Sequence, residues 1–225
     1  MSTSSEPPRH SRKQAVIVSA AVLAILASAV WIYWFEFGSQ KQNIDLHHAV
    51  GQVMAEETAH VVGQTGKLVL ITLDHRTAPE LKLQTDAFEK RLKALGGITI
   101  KELIVLDAKD NPKYRPGAGL SAKRFLKIAR KHSSVDAIVS FVGAPELTDQ
   151  ELTELKTVPK FIAEAHSPEK LVHLLEKKIL LSAIVPRFEF PAPGPRKPET
   201  SRQWFDRYFQ ILSPETALVK GDDAP

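Results

Sequence analysis

From Ala15 to Phe35 the chain reads AVIVSAAVLAILASAVWIYWF, without one charged residue. As a helix such a run spans about 30 Å, the hydrocarbon thickness of a bilayer. It is apolar on every face, unlike the helix of a soluble surface. Residues 15–36 are therefore expected to form a transmembrane signal anchor. Ser19 and Ser28 fit such a span, because helical hydroxyls bond their own backbone. Arg9, Arg12 and Lys13 precede the run, whereas Glu36, Lys41 and Asp45 follow it. The positive-inside rule then leaves tail 1–14 in the cytoplasm and exports the main body to the periplasm. Trp31, Tyr33 and Trp34 gather at the far end, where amphipathic rings favour the headgroups. A second reading stays open. Ala27-Ser28-Ala29 completes a cleavable signal pattern, and cleavage after Ala29 would release the same domain. The apolar continuation through Phe35 favours the uncleaved anchor.

The chain has no cysteine. Disulfides, thiolate zinc sites, thiol nucleophiles and a lipoprotein anchor are excluded. An exported domain must then rest on its core. Hydrophobic residues are 43% and charged residues 25%, which supplies one. The net charge of +4 is mild and spread along the chain, so nucleic-acid binding is not expected.

Beyond the anchor, residues 37–66 read as a juxtamembrane helix. Ile44, Ala49, Val53, Val61 and Val62 recur at helical spacing. His47, His48 and His60 on this helix read as solvated, since ligation would need contact across three turns. Gly63 and Gly66 end the helix.

From 67 to 187 the pattern alternates. Short aliphatic runs at 67–73, 100–106, 137–142, 160–163 and 179–185 read as buried strands. Helical patterns lie between them. Pro79 opens the first, which carries Leu81, Phe88, Leu92 and Leu95, and Gly96-Gly97 stop it. Ser121 is placed to cap the second. Thr148 and Glu151 form a capping box for the third, and Ser167-Pro168-Glu169 start the fourth. Five strands joined by helices imply right-handed crossovers. The expected fold is α/β, a single doubly wound parallel five-stranded sheet in three α/β/α layers. Residues 188–225 hold a proline-rich linker and an aromatic segment. SRQWFDRYFQIL (201–212) reads as one helix, with Trp204, Tyr208 and Ile211 on one face and Phe205, Phe209 and Leu212 beside them. This segment either folds back over the domain, or docks a partner through Trp204, Phe205, Tyr208 and Phe209 or lies on the membrane surface.

In open parallel sheets, ligands bind beyond the carboxyl ends of the strands. Asp74, His75 and Arg76 follow the first strand there. Asp107 and Asp110 follow the second, Gly143 and Glu146 the third, and Glu164 and His166 the fourth. Asp74 and Asp107 are one candidate pair for a hard metal. Acids at strand ends are also ordinary turn formers, and no nucleophile elbow or Walker motif accompanies them. Arg115-Pro116-Gly117-Ala118-Gly119 precedes a helix but lacks dinucleotide-loop spacing, and reads as a loop.

The order of elements resembles one lobe of a type I periplasmic solute-binding protein of the sugar-binding kind. The resemblance is carried by Gly66-Lys67-Leu68-Val69-Leu70-Ile71, by Phe88 and Leu92, by Gly97-Ile98-Thr99-Ile100, and by Val135-Asp136-Ala137-Ile138-Val139. It covers residues from about 55 to 185. It implies ligand-binding residues at Asp74, His75, Arg76, Asp107 and Gly143. That family clamps its ligand between two lobes, and this chain has length for one. A second copy or another protein would supply the other wall.

The expected function is a membrane-anchored extracytoplasmic module of the bacterial envelope. It binds a small solute or an envelope protein, or self-associates, and is not an enzyme, with no cofactor and no metal. The alternatives are a metal-dependent hydrolase or phosphoryl-transfer enzyme using Asp74 and Asp107, and a structural bitopic component.

Overall fold

The computed structural model describes the backbone of residues 12–107, 120–153, 155, 158–187 and 200–219, and the side chains of these except 12–15, 33–43 and 217–219. Asp110, the 115–119 loop, the proline-rich stretch 188–199 and the ends 1–11 and 220–225 lie outside the described residues. So do the side chains of Tyr33, Trp34, Glu36 and Lys41. The chain divides into two compact units, Met1–Asn43 and Ile44–Pro225.

In the first unit, the described residues lie on helix α1 (Arg12–Val62), which continues into the second. Its large apolar side chains between Val16 and Ile32 are 50–75% exposed. Among the described residues, no helix is long and apolar enough to cross a membrane.

In the second unit, α1 changes character. Ala49, Val50, Val53, Met54 and Ala55 are buried. Gly63, at φ 103°, ends the helix with its N–H on the Ala59 carbonyl at 2.9 Å. The strands follow as β1 (Gly66–Leu73), β2 (Ile98–Leu106), β3 (Ala137–Ser140), β4 (Lys160–Glu164), β5 (Leu180–Pro186) and β6 (Phe209–Leu212). They form one six-stranded sheet in the order β2-β1-β3-β4-β5-β6. The first five are parallel. The inner strands β1, β3, β4 and β5 are nearly continuous buried apolar runs, as strands covered on both faces require, whereas the edge strand β2 alternates exposed residues with buried or half-buried ones.

The sixth strand corrects the five-stranded expectation. β6 pairs antiparallel with β5, with Ile184 opposite Ile211. The segment read as one helix over 201–212 is helix α6 (Ser201–Tyr208) and then this strand. Helix periodicity continues through Phe209, Ile211 and Leu212, but β5 offers a row of backbone groups that must be paired. The strand wins because those bonds are made only there. Arg187 N–H also donates to the Tyr208 carbonyl at 2.8 Å. Thr200 and Gln203 form a capping box at the start of α6.

Between the strands lie α2 (Pro79–Leu95), α3 (Ala122–Lys131), α4 (Asp149–Thr153) and α5 (Val172–Glu176), with α7 (Pro214–Val219) after β6. The Thr148–Glu151 capping box forms as expected. Ser121 and Ser167 occupy cap positions but make no side-chain cap bond, and 168–170 is a 3-10 turn before α5. Gly97 sits at φ 78°, and a Cβ there would lie 1.9 Å from the Gln64 carbonyl oxygen, so α2 must turn into β2 at a glycine.

Helices α1 and α2 pack against each other. Arg91 bonds Glu56 at 2.8 Å, and a Cβ on Gly51 would meet the Gln84 carbonyl oxygen at 2.1 Å. Glu57 of α1 also accepts a bond from Ser182 of β5 at 3.3 Å. Phe88 of α2 meets Phe141 edge-on at 5.5 Å, and Phe125 of α3 packs on Phe161 of β4 at 4.8 Å. Burial of such rings dominates core energetics.

Candidate functional site at the carboxyl edge of the sheet

From β1 the chain crosses first to β2 on one side and then returns to β3 on the other. Strand order therefore reverses between β1 and β3. Crevices in doubly wound sheets open at such a point, outside the carboxyl ends of the strands. The residues after β1 and β3 stand there.

Asp74 builds the turn after β1. Its carbonyl accepts from Thr77 N–H at 2.9 Å and Thr77 Oγ1 at 2.7 Å. Its carboxylate accepts from Arg76 N–H at 3.0 Å, and from Arg76 Nη2 at 2.6 Å and Nε at 3.1–3.2 Å. A carboxylate held by a guanidinium fork and a backbone N–H is stabilised in its charged form. The Arg76 side-chain bond, then its backbone bond, push the Asp74 carboxyl down to about 2. The guanidinium is raised, first by the Asp74 bond, with the Asp107 charge contributing. Asp74 and Arg76 thus form one ion pair on the turn, with the Arg76 side chain 88% exposed.

The Asp74 carboxylate is already held by a cation of the protein itself. That is a different arrangement from a bare carboxylate pair open to a metal. Among the described residues, no group of three or more His, Cys, Asp or Glu is placed to hold a metal ion.

His75 lies between Asp74 and Arg76 in sequence, and its Nε2 is sealed from solvent without a partner. Across the switch point, Gly143 has φ 96° and its carbonyl accepts from Ser140 Oγ at 2.8 Å. Glu146 pairs with Lys170, and His166 is exposed. The five residues named from the strand ends, Asp74, His75, Arg76, Asp107 and Gly143, all stand at this edge.

Glu164 departs from expectation. It is the last residue of β4, and its carboxylate turns inward, 5% exposed. Gln84 of α2 donates to it at 3.1 Å. Gln84 also stands 3.3 Å from His47 Nδ1. His47 is therefore half-buried and partnered, not solvated, whereas His48 and His60 are exposed. Their separation in sequence hides this cluster from any local pattern.

The aromatic segment folds back. Phe205 is 1% exposed, and Trp204, Phe209, Ile211 and Leu212 pack against the core. Trp204 and Tyr208 stack at 5.9 Å, both half-buried.

No family model matches the chain, and no curated protein does. Solved structures do match. A sugar ABC transporter (sugar-binding protein) from Bacillus halodurans superposes with a TM-score of 0.52 at 13% identity, over 76% of this chain and 63% of that one. The XylFII molecule matches with a TM-score of 0.50 at 12% identity, over 74% of this chain and 60% of XylFII. This chain therefore spans less than two thirds of either protein. The fold is similar to part of the fold of these two proteins, the extent of about one lobe.

Proposed function

We propose that this chain is a non-catalytic, extracytoplasmic solute-binding or protein-interaction module, held at a membrane by the apolar stretch of α1. The Asp74–Arg76 pair at the switch point carries the reading. Its carboxylate accepts hydrogen bonds and its guanidinium donates them, on one exposed turn, with Asp107 after β2 adding an acceptor at the same edge of the sheet. Alternating donors and acceptors suit a hydroxyl-rich solute such as a sugar, because each hydroxyl is both. Gly143 lets the opposite wall approach without a side chain. A second copy or an envelope partner supplies the missing cover. The largely exposed apolar run on α1 supports the anchor, since apolar side chains exposed in such number are unfavourable in water.

The test is thermal unfolding of the full chain in detergent with a panel of mono- and disaccharides. One member is expected to raise the midpoint in proportion to the logarithm of its concentration, and Arg76→Ala to abolish that rise. A flat response to every sugar, or an equal one in Arg76→Ala, would refute the sugar-binding role. The anchor has its own check. The chain is expected to stay with membranes through alkaline carbonate extraction, and release into the supernatant would argue against a span.

A further inference from the structure

Behind the carboxyl edge, side chains from three elements meet: His47 of α1, Gln84 of α2 and Glu164 of β4. Gln84 is 2% exposed. Two oxygens in this group are sealed from solvent and lack a hydrogen-bond partner, Glu164 Oε2 and Gln84 Oε1. Both are acceptors in the arrangement described. A buried acceptor without a donor is unfavourable, so the group is short of a hydrogen. A proton on Glu164 supplies it.

The amide between them has two useful orientations. With Glu164 ionised, Gln84 Nε2 donates toward the carboxylate and toward His47 Nδ1. His47 then carries its proton on Nε2. With Glu164 protonated, the same site needs an acceptor. Half a turn of the amide puts Oε1 where Nε2 stood. Oε1 then accepts from the Glu164 O–H and from an N–H on His47 Nδ1. We propose that Gln84 is a two-position relay, which ties the proton on Glu164 to the ring tautomer of His47 on α1. One proton enters from solvent at Glu164. His47 is half-buried, so it exchanges its own proton with water, losing it from Nε2 and regaining it on Nδ1. No net charge changes on the ring.

The surrounding groups place this change near neutral pH. Burial, the main cause, pushes the Glu164 carboxyl up to about 7, and Glu80 of α2 adds to it, against the Gln84 bond. Burial also holds His47 below its ordinary value, opposed by Glu80 and assisted by His48. On the neighbouring strand, Ser182 of β5 is neutral and is bonded to Glu57 of α1. His166, two residues beyond Glu164, is exposed. The relay does not depend on whether the edge binds a sugar.

The test is NMR of the full chain in detergent, with 13C at glutamate carboxyls and 15N in histidine rings. His47→Phe and Glu164→Gln assign the two signals. From pH 5 to 8.5, the Glu164 carboxyl and the His47 ring nitrogens are expected to shift with one shared midpoint. His47 Nδ1 is protonated on the acid side of it and bare on the alkaline side. In Glu164→Gln that step disappears from His47. In Gln84→Met, Glu164 still titrates and His47 no longer follows it. A His47 tautomer that stays constant while Glu164 titrates in the unmodified chain would overturn the relay. So would unchanged coupling in Gln84→Met. Should that variant fail to fold, the unmodified chain decides alone.

Discussion

Glu164→Gln is expected to stabilise the α/β unit at pH 8 by about 3 kcal/mol more than it does at pH 5. The sign follows from linkage. The folded carboxyl sits at about 7, above its ordinary value of 4.5. Between those values the folded chain binds a proton that the unfolded chain has lost. Stability from this group is thus complete below 4.5, and is lost as pH rises through about 7. A glutamine is neutral at both pH values and escapes the loss. His47 acts in the opposite sense. Its folded value is lowered, so its contribution is present above 6.5 and fades as pH falls. Comparing the variant with the parent at each pH cancels that second contribution. In a unit of this size the difference corresponds to roughly 6–12 °C in unfolding midpoint at pH 8. Equal midpoint differences at pH 5 and pH 8 would show that Glu164 ionises like a surface carboxylate.

Gly51→Ala is expected to destabilise the unit by about 2 kcal/mol, and Gly51→Val by more. In an exposed helix interior the alanine change stabilises by about 1 kcal/mol, because alanine is the better helix former. Here the added Cβ would stand 2.1 Å from the Gln84 carbonyl oxygen and 3.0 Å from the Ala87 Cβ. A backbone oxygen has no rotamer to yield, so α1 must move away from α2. His47 lies one helical turn from Gly51 on the same face, and its contact with Gln84 is opened by the same movement. Urea unfolding of both variants measures the effect. A stabilising alanine would show that the two helices do not pack this closely.

The sheet was largely legible in the residues. Runs such as KLVLITL and AIVSFV are too short and too continuously apolar for anything but strands covered on both faces. Pro79 and Gly96-Gly97 mark α2 by backbone chemistry alone. The turn residues Asp74, Arg76, Asp107 and Gly143 were likewise found from strand ends. What escaped was non-local. FQIL continues the helical spacing of the residues before it, and only the open side of β5 makes it a strand. Gln84 lies 37 residues from His47 and 80 from Glu164, so no pattern within a window joins them. A carboxylate at a strand end reads as solvent-facing until the helices that cover it are in place. The fork of Arg76 onto Asp74 also depends on a turn conformation that three residue names do not specify.

The pairing of β6 with β5 has a consequence for how the protein behaves among its own copies. β5 is a seven-residue strand, LLSAIVP, almost wholly apolar. Without residues 209–212 its outer row of N–H and C=O groups would stand open, a template onto which a foreign strand can add. β6 occupies that template with a piece of the same chain. It is only four residues long, too short to recruit a further strand firmly. At the other margin, β2 carries Lys101 and Glu102 at its centre, which discourages an apolar strand from adding there. The sheet is thus terminated at one margin by its own chain and at the other by charge, which guards it against growing by edge-to-edge aggregation.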